Sequence, residues 1–217
     1  MNRRTTFVLA VFATALVTFG GAAYYVMQEK RAAVPATRPI DGTDHLVRPH
    51  SPVIGPTGAQ VTIVEFFDPA CESCRAFHPV VKEILGRYPG KVRVVIRYAA
   101  FHPGSAEAIR ILETARLQDR FLPVLEALLA AQPTWASHRF PNTELAWDAA
   151  AGAGLDVERA RRERLMPHIA AALNFDAADI AALGIRGTPT FFVNGRPLAE
   201  FGADQLRALV RDEVTRY

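Results

Sequence analysis

The chain's only two cysteines are separated by two residues, in the run Phe67-Asp68-Pro69-Ala70-Cys71-Glu72-Ser73-Cys74-Arg75. A disulfide placed for stability closes a long loop, because the entropy it removes from the unfolded chain grows with loop length. A Cys-x-x-Cys ring closes almost nothing. What it does well is open and close: the first sulfur, as a thiolate, attacks or is attacked, and the second resolves the mixed disulfide. The two sulfurs carry the electrons themselves, so this chemistry calls for no cofactor. His78 follows Cys74 by four residues, so a Cys-Cys-His metal site is conceivable. Zinc wants a fourth ligand, and the other histidines, His45, His50, His102, His138 and His168, show no ligand spacing, so no metal site is expected. Copper(I) needs fewer ligands, which keeps a copper-tolerance protein as an alternative.

The elements around the pair decide how it is presented. Residues 61–67, Val-Thr-Ile-Val-Glu-Phe-Phe, are β-branched and aromatic, as in a strand buried on both faces. After the cysteines, Phe77, Val81, Ile84, Leu85 and Tyr88 recur at helical spacing, which places Cys71 at the start of a helix that ends before Pro89-Gly90. There the unpaired N–H groups and the positive end of the dipole lower a thiol's pKa. A second strand is expected over 92–98, with Val92, Val94 and Ile96 on one face and Val95 on the other. The β-α-β order makes the two strands parallel.

Helical periodicity then runs through 106–117, 121–131, 142–153, 157–165 and 169–183, with breaks at Gln132-Pro133, Pro141-Asn142 and 152–156. Trp135 and Trp147 read as core. A strand over 189–193, a turn at Asn194-Gly195, a return strand over 196–200 and a last helix beyond Gly202 complete the order.

At the N-terminus, residues 5–27 carry no charged side chain and follow Arg3 and Arg4. As a helix this stretch reaches roughly 35 Å, enough to cross a bilayer, with the rest of the chain on the non-cytoplasmic side. A cleaved signal with small residues at Gly21-Ala22-Ala23 is the competing reading. Both export the chain into a compartment where disulfides persist. The segment division is 1–31 anchor or signal, 32–56 linker, 57–102 first part of an α/β domain, 103–183 helical insertion, and 184–217 second part. A net charge of +3 spread over scattered arginines argues against nucleic-acid binding. No heptads or amphipathic strand precede the domain, so a monomer is expected.

Together these features resemble the thioredoxin fold with an inserted helical domain, as in the DsbA family of exported thiol-disulfide oxidoreductases. The carrying motifs are Glu65-Phe66-Phe67 leading to Cys71-Glu72-Ser73-Cys74, and Gly187-Thr188-Pro189-Thr190 entering a strand. The resemblance implies Cys71 as nucleophile and Cys74 as resolving thiol. It makes Glu65 a buried acid that exchanges a proton with Cys74, and Thr188-Pro189 a cis-proline corner that pairs with an extended substrate. It further implies periplasmic, cysteine-containing substrate proteins and a membrane redox partner, with an isomerase or reductase as the other enzymatic reading. Strongly oxidising members resemble Pro-His between the cysteines. Glu72, and Asp68 upstream, are instead expected to place like charge near the thiolate and make a milder oxidant.

Overall fold

A computed structural model describes residues 45–216; the expected anchor or signal at 1–31 lies outside them. Among the described residues no helix is long and apolar enough to cross a membrane. Strands β1 (Val53–Ile54), β2 (Val61–Phe67), β3 (Val92–Tyr98), β4 (Thr190–Val193) and β5 (Arg196–Pro197) form one sheet in the order β1-β3-β2-β4-β5. β2 and β3 are parallel, Val61 opposite Val92, joined over α1 (Glu72–Arg87). β4 runs antiparallel to β2, which sets Glu65 opposite Phe191. Between β3 and β4 come α2 (Ser105–Arg116), α3 (Phe121–Trp135), α4 (Thr143–Gly152), α5 (Val157–Glu163) and α6 (Pro167–Leu183); α7 (Ala203–Val214) follows β5.

Side chains alternate across β2 and β3, so each face of the sheet has its own core. Val61, Ile63, Phe67, Val94 and Ile96 pack with Phe77, Val81 and Ile84 of α1 and with the helices beyond, including Trp135 and Trp147. Val64, Phe66, Val95 and Phe192 pack with Leu46 and Ile180 on the opposite face. By this alternation Glu65 points to the α1 side, the side of Cys74. The Asn194-Gly195 turn has φ of +48° and +80°, the left-handed pair a two-residue hairpin requires.

Three expectations are corrected. α3 runs through Pro133 rather than breaking at Gln132-Pro133. The last turn is held by fully buried Trp135, whose indole N–H donates to Leu128 O, and by Gln132, whose side chain is engaged elsewhere. The return strand spans only Arg196–Pro197; Leu198 N still donates to Phe191 O at 3.0 Å, and the chain bends away at 199–200. Residues 45–56, expected within the linker, are docked: Leu46 is buried and β1 pairs with β3.

Charge holds that docked segment. Arg97, on β3 and fully buried, donates to Asp176 Oδ1 at 2.7 Å and Asp179 Oδ2 at 2.6 Å, and its Nη1 donates to the His45 carbonyl. Arg48 reaches Asp179 at 2.6 Å and His50 reaches Asp176 at 2.8 Å. The Arg48 hydrogen bonds hold the Asp179 carboxyl well below the usual carboxylate range, against the cost of burial. Breaking a buried pair from one side strands a charge. Asp176→Ala is therefore expected to destabilise the chain by about 3 kcal/mol, read as a lower urea midpoint; an unchanged midpoint would count against a structural role for the cluster.

Candidate active site

The β2-to-α1 loop is fixed by one carboxylate. Asp68, fully buried, accepts hydrogen bonds from Ala70 N at 2.8 Å, Phe101 N at 2.9 Å, His102 N at 3.1 Å and the Ser105 hydroxyl, with His102 Nδ1 2.7 Å away. The side chain that sequence reading treated as a charge near the thiolate is instead the tie between this loop and the start of α2. Gln132 of α3 closes the loop from the other side. Its amide donates to Pro69 O at 2.8 Å and Cys71 O at 2.9 Å, and its carbonyl accepts from Arg75 Nε at 2.9 Å. Nothing local in the sequence announces Gln132, which reaches the loop from 61 positions away.

Cys71 is the N-cap of α1, with extended backbone, and both cysteines are free thiols. Cys71 Sγ is 3.2 Å from the Thr188 carbonyl, and the Thr188–Pro189 peptide is cis. Cys74, one turn further in, is fully buried, and its Sγ accepts from Asp68 N at 3.4 Å. The fold thus gathers Cys71, Cys74, Thr188 and Pro189 at one end of the sheet.

The two sulfurs are set apart electrostatically. Cys71 is lowered to about 5, first by a hydrogen bond from the Cys74 thiol; burial opposes this, while the backbone N–H groups of Cys74 and Ser73 assist it. Those N–H groups are the unpaired donors of the helix start. Cys74 is pushed strongly up by burial, by its hydrogen bond to Cys71 and by the charge of Glu65. Glu65 is buried and raised to about 8, mainly by desolvation and secondarily by Cys71. The expected repulsion by Glu72 and Asp68 is not what governs Cys71. Glu72 turns outward to His138 Nε2 at 3.2 Å, and Asp68 is occupied as described. His78 lies not with the sulfurs as a ligand but beside a cavity it shares with Glu65. Among the described residues no group of three or more His, Cys, Asp or Glu is placed to hold a metal ion.

A sheet with a parallel β-α-β unit, a dithiol at the helix N-terminus and a facing cis-proline define the class of thioredoxin-fold dithiol proteins. A family model described as Thioredoxin matches residues 48–212, and the chain belongs to that family. A thioredoxin-like oxidoreductase from Silicibacter pomeroyi is 30% identical, with a TM-score of 0.68 over 81% of this chain and 96% of that one. BdbD from Bacillus subtilis is 25% identical, with a TM-score of 0.68 over 76% and 94%. The catalytic domain of Proteus mirabilis ScsC, at 24% identity and a TM-score of 0.66 over 79% and 94%, shares the fold. Among curated proteins, the Na(+)/H(+) antiporter NhaA of Herminiimonas arsenicoxydans is 33% identical over 144 residues, 66% of this chain. The chain spans only 22% of that protein's length.

Proposed function

We propose that this chain exchanges disulfides with cysteine-containing exported proteins through Cys71 and Cys74, on the periplasmic side of the inner membrane, tethered by its N-terminal apolar segment and acting as a monomer. The observation that carries the reading is the contrast between the two thiols: Cys71 is held as a thiolate at a helix N-terminus, while Cys74 keeps its proton behind it. In the oxidising direction the enzyme starts as the Cys71–Cys74 disulfide. A substrate thiolate attacks Cys71, the Cys71–Cys74 bond breaks, and Cys74 leaves and takes a proton from Glu65. A second substrate thiolate then attacks the substrate sulfur of the mixed disulfide, releasing Cys71 as a thiolate. The substrate loses two electrons to the enzyme pair. The reducing direction runs the same steps backward, and a membrane redox partner resets the pair.

The Thr188 carbonyl beside Cys71 Sγ supports a role for Thr188-Pro189 in aligning an extended substrate segment, since main-chain groups at a sheet-like edge pair with any sequence. Relatives named as antiporters, of which a matching segment makes up 22%, support a position beside a membrane for this chain too. Mixing the oxidised full chain with an unfolded dithiol protein tests the activity. The expected result is stoichiometric transfer of the disulfide, read by alkylation of the thiols left on each partner, and no transfer after prior alkylation of reduced Cys71. Transfer that survives alkylation would refute the assignment.

A further inference from the structure

The Glu65 carboxyl is buried, yet any proton it exchanges with Cys74 must come ultimately from water. It lines a cavity of about 170 Å³ whose other polar lining is His78, Lys82 and Glu126, the rest being apolar. A water molecule in the liquid occupies about 30 Å³, so the space admits several. The same three residues, His78, Lys82 and Glu126, also line an open groove on the outer surface between α1 and α3. They therefore border both the space beside the buried acid and the outer groove. Lys82 and Glu126 are paired at 2.6 Å and both are exposed. His78 is different: its Nε2 is buried and has no hydrogen-bond partner within the protein.

We propose that His78 is a positioning residue for the exchange reaction, passing protons between the solvent groove and Glu65 across this cavity. The proposal rests on the reading that Glu65 exchanges a proton with Cys74. When the Cys71–Cys74 bond breaks, Cys74 leaves as a thiolate and takes the Glu65 proton. His78 then restores a proton to the Glu65 carboxylate through the cavity and is reprotonated from the groove. In resolution of a mixed disulfide by Cys74 the proton travels the opposite way, from Cys74 through Glu65 to His78 and out. Neither direction consumes anything beyond the thiols and disulfide already named. Imidazole suits the task because in its neutral form one ring nitrogen donates while the other accepts. Burial favours that neutral form most; the Glu126 charge opposes it, and the Lys82 charge assists it to a smaller extent.

The test follows resolution by Cys74 in a single turnover, from a mixed disulfide of Cys71 with a small thiol on the full chain, in dilute buffer. His78→Gln, which keeps a polar group of similar size, and His78→Ala are each expected to slow resolution by about tenfold, below the range of a direct general acid or base. Added imidazole should restore His78→Ala with saturation and leave His78→Gln slow, with the alkylation rate of Cys71 and the thermal midpoint unchanged in both. Resolution at the wild-type rate in both variants overturns the proposal. So does a slow His78→Ala that imidazole fails to restore, since that marks a structural role. Glu65→Gln separates the levels: if it slows resolution and the histidine variants do not, only the relay falls, and if it does not, the proton role of Glu65 falls as well.

Discussion

Cys71→Ala is expected to abolish disulfide exchange, whereas Cys74→Ala and Cys74→Ser should leave a chain that accumulates mixed disulfides on Cys71 and cannot resolve them. Non-reducing electrophoresis reads both outcomes. The two resolving-thiol variants should then differ from each other in a way that a simple nucleophile assignment does not foresee. The leading cause of the low Cys71 pKa is the hydrogen bond from the Cys74 thiol, ahead of the backbone donors of the helix start. In the wild-type chain, alkylation of reduced Cys71 by iodoacetamide should rise with pH through an inflection near 5 and then level off. Cys74→Ser keeps a donor and should keep the inflection low. Cys74→Ala removes it and should move the inflection up toward the ordinary thiol range. If the inflection of Cys74→Ala stays where the wild type's lies, the helix start alone stabilises the thiolate.

Glu65→Gln is expected to slow resolution by about a hundredfold, the low end for loss of a general acid or base, and to change how stability depends on pH. In the folded chain Glu65 keeps its proton up to about 8, against 4.5 for an unperturbed glutamate. Between those values the folded state binds more protons than the unfolded state, so this group makes stability fall as pH rises from about 4.5 to about 8. Cys71 acts in the opposite sense. Its folded pKa is about 5 and its ordinary value 9, so the reduced chain gains stability from this group as pH rises between them. The disulfide form has no Cys71 thiol to titrate. Its desolvated Glu65 should therefore stand unopposed, and the oxidised wild type should lose on the order of 3–5 kcal/mol relative to oxidised Glu65→Gln across that window. Reduced wild type should run nearly flat between about 5 and 8, because the two slopes offset, while reduced Glu65→Gln, which keeps only the Cys71 slope, should gain stability as pH rises. Thermal midpoints of both redox forms across the pH range check this, and parallel curves for the oxidised pair would mean that Glu65 ionises freely.

Much of this arrangement is legible from side-chain type and spacing. The β-branched run predicts β2 and β3 with the bounds observed, and the helical spacing after Cys74 predicts α1 with Cys71 at its start. Glu65 stands out because a carboxylate inside a buried strand demands a reason. The misreadings have a common origin. Residues 45–56 look like a tether because their cohesion comes from Arg97, Asp176 and Asp179, which are distant in the chain. Glu72 and Asp68 look like repelling charges because adjacency in sequence says nothing about which way a side chain turns or what meets it.

What the sequence by itself determines is the chemistry: two thiols in a ring too small to staple anything, at a strand-to-helix junction whose periodicity is local and so readable. The tertiary structure decides the electrostatics. The cis corner that brings Thr188 to Cys71, the Gln132 clamp on the loop, and the cavity joining Glu65 to His78 are each made by segments far apart in the chain. Proton affinities depend on burial and on the few groups within hydrogen-bonding reach, and both are set only when those segments pack. The Cys71-x-x-Cys74 spacing names a redox pair, and the packing around it makes one sulfur a thiolate and the other its proton-holding partner.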